Sequence, residues 1–213
     1  MSYGYYEAPT ASKPTGRYRY NGSSLDTRSQ LSAAALIYHE LVPGHHFHLA
    51  RQYENTELPI IRRVAIDNSA FNEGWAEYAS GLAGEMGLYD DVYDLYGRLM
   101  HERFIAQRLV TDTGLNAFGW TLERAGEFMR ANTLESPTQI ATETLRYSTD
   151  LPAQALAYRM GYLKFKELRE RAQHRLGARF DIRDFHEATL REGALPLKVL
   201  ERHIDRFIGE PDR

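Results

Sequence analysis

The sequence predicts an all-α fold preceded by an irregular N-terminal arm. Three observations predict it: apolar residues recur with a helical period over most of the chain, helix caps or stops mark most segments, and strand patterns are almost absent. The 213 residues can bury a full core, as one large domain or two small ones. With no internal repeat or low-complexity linker, the expected organisation is an arm over 1–24 and a single helical domain over 25–213.

The arm is rich in Tyr, Gly, Pro and Ser and lacks helical period; it reads as extended or irregular, with room for a short strand around Tyr18 to Tyr20. Its five tyrosines predict that it packs on something. A helix capped by Asp26 or Thr27 then runs through Leu31, Ala35, Leu36 and Tyr38 into His39-Glu40. Beyond Pro43-Gly44, Phe47 to Tyr53 can resume helix, and Asn55 to Pro59 is a loop. Residues 60–86 carry Phe71-Asn72-Glu73-Gly74-Trp75-Ala76-Glu77-Tyr78. A long helix follows from Asp91 to about Thr111, with Val92, Leu95, Leu99, Phe104 and Leu109 as its apolar positions; its His101 reads as a surface or packing residue. Thr113 to Gly119 is expected to turn, and Thr121 to cap a helix through about Ala131. Ser136-Pro137 opens a helix carrying Glu143, Arg146 and Tyr147. Asp150 and Pro152 open a long one containing Gln154 and Tyr158 and closing near Gly177. Asp181 starts another to Glu192, Gly193 stops it, and Pro196 begins the last.

Hydrophobic residues at 43% and charged ones at 26% are ordinary for a soluble globular protein. The net charge of −3 gives no reason to expect nucleic acid or an anionic membrane as partner. No apolar run approaches the roughly 20 residues of a membrane helix, and the N-terminus lacks the regions of a signal peptide; a cytoplasmic protein is the expectation. There is no cysteine, so any metal must rest on His, Asp or Glu.

The stretch richest in chemistry is His39-Glu40-Leu41-Val42-Pro43-Gly44-His45-His46. In the zinc-hydrolase motif H-E-x-x-H, two histidines four apart on one helical face bind Zn²⁺ and the glutamate activates water. Here two extra residues intervene. On a straight helix His45 lies about 120° from His39, and His46 regains the face but sits about 10.5 Å further along the axis. A sharp turn at Pro43-Gly44 can swing a histidine back, and favours His45 over His46. The alternative is a helix ending at Pro-Gly, with histidines capping its last carbonyls. Glu73 and Glu77, four apart among large apolar residues, need a cation between or beside them more than they fit a solvated acidic face.

Taken together, His39-Glu40-x-x-Pro43-Gly44-His45-His46, Glu73-Gly74-Trp75-Ala76-x-Tyr78, Asp112-Thr113-Gly114-Leu115, Pro152-x-Gln154-Ala155-x-x-Tyr158-x-x-Gly161 and Phe185-His186-x-x-x-Leu190-x-x-Gly193-x-Leu195-Pro196 resemble the bacterial domain-of-unknown-function 885 family. The resemblance runs from about Tyr5 to Phe207, and family members are considerably longer, with this chain matching their C-terminal part. It implies a helical zinc-metallopeptidase-like (gluzincin-type) catalytic domain. The segment from Asn72 to Ala76 is also similar to the Asn-Glu-Gly-Phe-Ala of zinc aminopeptidases, whose glutamate is the third zinc ligand. The dipeptidyl-peptidase III family shows by its one-residue-longer motif that an insertion can be absorbed.

The resemblance implies His39, His45 and Glu73 as ligands of Zn²⁺ and Glu40 as general base. It places Tyr158, Arg146 and Tyr147 as candidate donors to an oxyanion. His46, Glu77, Gln154, Tyr147 and Asn116 are expected around the ligands rather than among them. Where the resemblance implies a histidine after Gly114-Leu115 the chain has Asn116, which can donate a hydrogen bond but carries no charge; where it implies a glutamine the chain has His48. The function so implied is hydrolysis of a peptide or small amide substrate, with an upstream N-terminal domain or partner chain completing the cleft. Two other readings use the same residues: a non-catalytic metal-binding or interaction module, and a metal-dependent hydrolase or hydratase of a non-peptide substrate.

Overall fold

In the computed structural model, residues 3–10, 12–23, 25, 29–64 and 67–209 are described. The chain is mostly helical: α1 (Ala33–Glu40), α2 (His45–Glu54), α3 (Ile60–Val64), α4 (Ser69–Glu85), α5 (Val92–Ala117), α6 (Leu122–Asn132), α7 (Pro137–Leu145), α8 (Leu156–Leu176), α9 (Ile182–Leu190) and α10 (Leu197–Phe207). Among the described residues, no helix is long and apolar enough to cross a membrane.

The arm is more regular than its composition predicts. Strands β1 (Gly4–Glu7) and β2 (Arg17–Tyr20) pair antiparallel, Gly4 opposite Tyr20 and Glu7 opposite Arg17. A diagonal Arg19–Glu7 ion pair at 3.1 Å stitches them, and the tyrosines anchor the hairpin to the helices. Tyr3 donates to Glu135 Oε2 at 2.7 Å, and the Tyr6 hydroxyl meets His46 Nδ1 at 2.8 Å.

Three helix ends differ from expectation. The caps expected at Asp26 or Thr27 lie outside the described residues, and α1 begins only at Ala33. Leu31 and Ser32 are instead pressed against α5, where a Cβ on Gly97 would overlap the Leu31 carbonyl. Helix α5 does not turn at Thr113 but continues to Ala117, because Gly114 serves packing: the indole of Trp120 fills the space a side chain there would take. Helix α8 begins at Leu156 rather than Asp150, which leaves Gln154 ahead of it. Arg146–Asp150 forms a π turn, and α5 claims backbone groups within it and after it. Asp112 Oδ1 accepts from the Ala153 N–H at 3.1 Å, and Asn116 Nδ2 donates to the Tyr147 carbonyl at 3.0 Å. The caps at Asp91, Thr121, Ser136 and Asp181 are in place, each side chain accepting a backbone N–H of the first turn.

Helices α4 and α8 form the centre. They cross where Gly74 meets Gly161: a Cβ on Gly74 would lie 2.5 Å from the Gly161 backbone, and one on Gly161 would overlap the Ala70 carbonyl. Phe71, Trp75 and Tyr78 of α4 pack with Phe165 and Leu168 of α8, and Phe185, Leu200 and Ile204 close this core. The crossing also sets Gln154, just ahead of α8, and Tyr158, in its first turn, against Glu73. Gly161→Ala and Gly74→Ala are therefore expected to destabilise the fold by about 1–3 kcal/mol each. Gly126→Ala, whose new Cβ would meet only ordinary contacts inside α6, should instead gain about 0.5–1 kcal/mol. Urea unfolding midpoints at constant slope check this; three equal midpoints would refute the close-crossing argument.

Candidate metal centre

The two histidine-bearing helices meet at the Leu41–Gly44 turn, whose Val42–Pro43 peptide is cis. Gly44 is needed there for room, since a Cβ would overlap the His39 carbonyl oxygen. Trp75 Nε1 donates to the Pro43 carbonyl at 3.0 Å, so the tryptophan of the α4 motif holds the turn of the histidine motif. The effect is to start α2 at His45 and to return that residue to His39: their rings stand 4.8 Å apart at 89°.

His39, His45 and Glu73 each offer a ligand atom, all within 4.8 Å of one another. Glu73 Oε2 lies 3.5 Å from His39 Nε2 and 3.2 Å from His45 Nε2. Burial pushes the Glu73 carboxyl up, but the two imidazoles outweigh it and hold the group far below the usual range. Burial lowers His39, and close contacts with Glu73 and Glu77 outweigh that to bring it to about 10. The buried Glu77 and the partly buried Glu73 thus draw positive charge to the His39 ring, the environment in which a divalent cation is favoured.

Each ligand candidate is backed by another side chain. Behind His39, Glu77 Oε1 lies 2.9 Å from Nδ1, an ion-pair contact rather than an aligned hydrogen bond. His45 Nδ1 faces His48 Nε2 at 3.3 Å. Burial holds His48 well below the usual histidine range, so it is neutral and can accept the Nδ1 proton, which leaves His45 Nε2 free for a metal. Glu73 Oε1 accepts from Gln154 Nε2 at 3.1 Å, and the other end of that amide accepts from Arg146 Nη2 at 3.1 Å.

His46 points elsewhere, its Nδ1 bonded to Tyr6 and its ring edge-on to that tyrosine. Of the two roles expected for His101, surface or packing, it takes the second: its side chain is mostly buried, and its Nε2 lies 2.9 Å from Glu77 Oε1. His39, Glu77 and His101 form a second group able to hold a metal. Arg98 Nη1, 3.7 Å from Glu77 Oε2, already supplies that carboxylate with positive charge. Asn116 does not reach the cluster; besides Tyr147, its amide donates to Asp112 Oδ1 at 3.0 Å and to the Asp112 carbonyl at 3.1 Å. The Tyr147 hydroxyl is committed as well, donating to Glu143 and accepting from Arg108 Nε at 2.8 Å.

His39, Glu40, His101, Arg108, Arg146 and Tyr158 line one cleft of about 360 Å³, which the hairpin borders with Tyr3, Tyr18 and Tyr20. Glu40, the last residue of α1, is buried, and desolvation raises its carboxyl against the lowering pull of His39 and His45. Tyr158 lies nearly parallel to the His39 ring, and the Arg108 guanidinium sits over its own ring, 4.4 Å from the centre. Burial pushes its hydroxyl up to about 12, so it keeps its proton and can donate. His48 and His101 are the residues that sequence spacing alone does not assign. His48 becomes legible once α2 is seen to start at His45, which puts it one turn on.

A crystal structure described as "the putative lipoprotein from Colwellia psychrerythraea" is similar to this chain at 38% identity and a TM-score of 0.93, over 98% of this chain and 36% of that one. A second, "a putative lipoprotein of unknown function from Shewanella oneidensis", is similar at 25% identity and a TM-score of 0.74, over 92% of this chain and 38% of that one. The chain therefore spans little more than a third of the length of either. No curated protein matches it. Residues 1–204 match the family described as "Bacterial protein of unknown function (DUF885)", and to that family the chain belongs.

Proposed function

We propose that this chain is the catalytic part of a zinc-dependent hydrolase of peptide or amide bonds, with a helical domain of the gluzincin type. The observation that carries the reading is the convergence of His39, His45 and Glu73 on one point, beside a cleft that His39 itself lines together with Glu40 and Tyr158. Two imidazoles and one carboxylate are a donor set that suits zinc with a position left open. Zinc bound there supplies Lewis acidity and lowers the pKa of a water to about 7. Glu40, raised by burial, takes the proton of the attacking water and passes it to the leaving amine. Tyr158, protonated at neutral pH, donates to the oxygen on which charge develops. Gln154 holds Glu73 in place, and His48 fixes the tautomer of His45.

The expected result is close to one zinc per chain in metal analysis of purified protein, falling sharply in His39→Ala and in Glu73→Ala. Protein that takes up no zinc under any loading condition would remove both the site and the enzyme. Cleavage of a peptide library by the zinc-loaded chain, alone or joined to its upstream part, tests the hydrolase itself. The rival reading is a metal-binding or interaction module without turnover, and it draws on the fact that the chain spans only 36% and 38% of the similar structures. The descriptions of those two structures also favour an envelope location for the whole protein over the cytoplasmic one expected from the sequence. Fatty-acid labelling of the full-length protein checks that, and an unlabelled product would reject it.

A further inference from the structure

Two arginines line the cleft, and they differ in what they face. Arg108 is engaged: its Nε lies 3.2 Å from Glu143, donates to the Tyr147 hydroxyl, and its guanidinium sits over the Tyr158 ring. Arg146, half-buried at the head of the π turn, has no carboxylate within 4.0 Å among the described residues. Of its five N–H donors, one reaches Gln154 Oε1 at 3.1 Å, while its Nε is buried with no hydrogen-bond partner. Withdrawing even one guanidinium nitrogen from water with neither a partner nor an anion beside it is costly. The fold therefore keeps a cation ready for a ligand that brings negative charge.

The position of that cation defines the ligand further. Gln154 bridges Arg146 to Glu73 Oε1, so one side chain separates the cation from the metal cluster. Glu40, Glu135 and Glu143 line the same cleft, which disfavours a multiply charged phosphate and tolerates a single carboxylate. A planar carboxylate also matches the fork of a guanidinium. The cavity, about 360 Å³, lies at the small end of ligand sites, which run from about 300 to 1,000 Å³, and so suits a few residues rather than a folded chain.

We propose that Arg146 anchors the C-terminal carboxylate of a short peptide, so that cleavage proceeds from the C-terminal end. This rests on the peptide-hydrolase reading, and the experiment separates the two. Binding and cleavage of one tetrapeptide are measured on the zinc-loaded chain as the free acid, as the C-terminal amide, and as an amide carrying glutamate at its last position. The free acid should bind about 10- to 100-fold more tightly than the plain amide, the range of a charge-assisted pair. In Arg146→Ala that difference should vanish through weaker binding of the acid, with the loss in KM rather than kcat; Arg146→Lys should restore part of it. Equal binding of acid and amide by the unmodified chain would overturn the proposal without any variant. So would an equal fall of kcat on both peptides in Arg146→Ala, which would make Arg146 a donor to the oxyanion. Preference for the glutamate-bearing amide over the free acid would assign Arg146 to an acidic side chain and also overturn it. Selective binding of the free acid without cleavage of any peptide would keep the anchor and reject the hydrolase.

Discussion

Glu40→Gln is expected to load zinc as the unmodified chain does, to unfold at the same denaturant midpoint or a higher one, and to lose peptide cleavage by about 10²- to 10⁴-fold, the range of a general base. The side chains are isosteric, so the cleft keeps its shape. Glutamine cannot take a proton, and that is the one property removed. The fold does not depend on the charge: Glu40 is 7% exposed, and desolvation is the largest influence on its carboxyl. Neutralising it removes a buried carboxylate that also repels Glu73. A backbone hydrogen bond from Tyr6 is its contact with the hairpin, and an amide oxygen accepts that equally well. A variant that retained turnover would show that Glu40 is not the base. One that lost zinc along with turnover would move Glu40 into the ligand set. Either result is separable from misfolding by the unfolding midpoint.

Much of this site was legible because local spacing reports it. His39 and Glu40 are adjacent, Glu73 and Glu77 are four apart on one helix, and the Pro43-Gly44 pair announces a break; each is a statement about a few residues. The partners those residues need are set by pairings across the chain, which spacing does not encode. His101 reaches Glu77 from 24 positions away, and Arg108 claims Tyr147 from 39. That second pairing is why Tyr147, a candidate donor by motif, has its hydroxyl occupied. Helix ends were misread for a related reason. Gly114 has the look of a turn residue, but packing against Trp120 overrides its helix-breaking tendency. Asp150 and Pro152 have the look of a helix start, yet Asp112 and Asn116 of α5 take the backbone groups that a helix would use. Gly74 and Gly161 were both visible as motif positions, but that they face each other became meaningful only once α4 and α8 were seen to cross.

Four single substitutions to alanine around the turn should order zinc affinity, and this order is the sharpest consequence of the geometry. His45→Ala should cost the most, since it removes one of three ligand atoms held within 4.8 Å. His48→Ala and Glu77→Ala should each cost about 10- to 100-fold, the usual loss when the group behind a ligand is removed. His48 holds the His45 ring through Nδ1, and Glu77 does the same for His39 by charge. His46→Ala should change affinity least, because its imidazole is turned to the Tyr6 hydroxyl, 2.8 Å away, and serves the hairpin. Its cost should appear instead in stability, at about 1 kcal/mol for one lost hydrogen bond. Competition of each variant with a chromophoric chelator gives the four affinities, and urea unfolding gives the stability. If His46→Ala lost most of the affinity while His45→Ala lost little, the turn at Pro43-Gly44 would not aim the chain as the Trp75–Pro43 bond and the His39–His45 contact require.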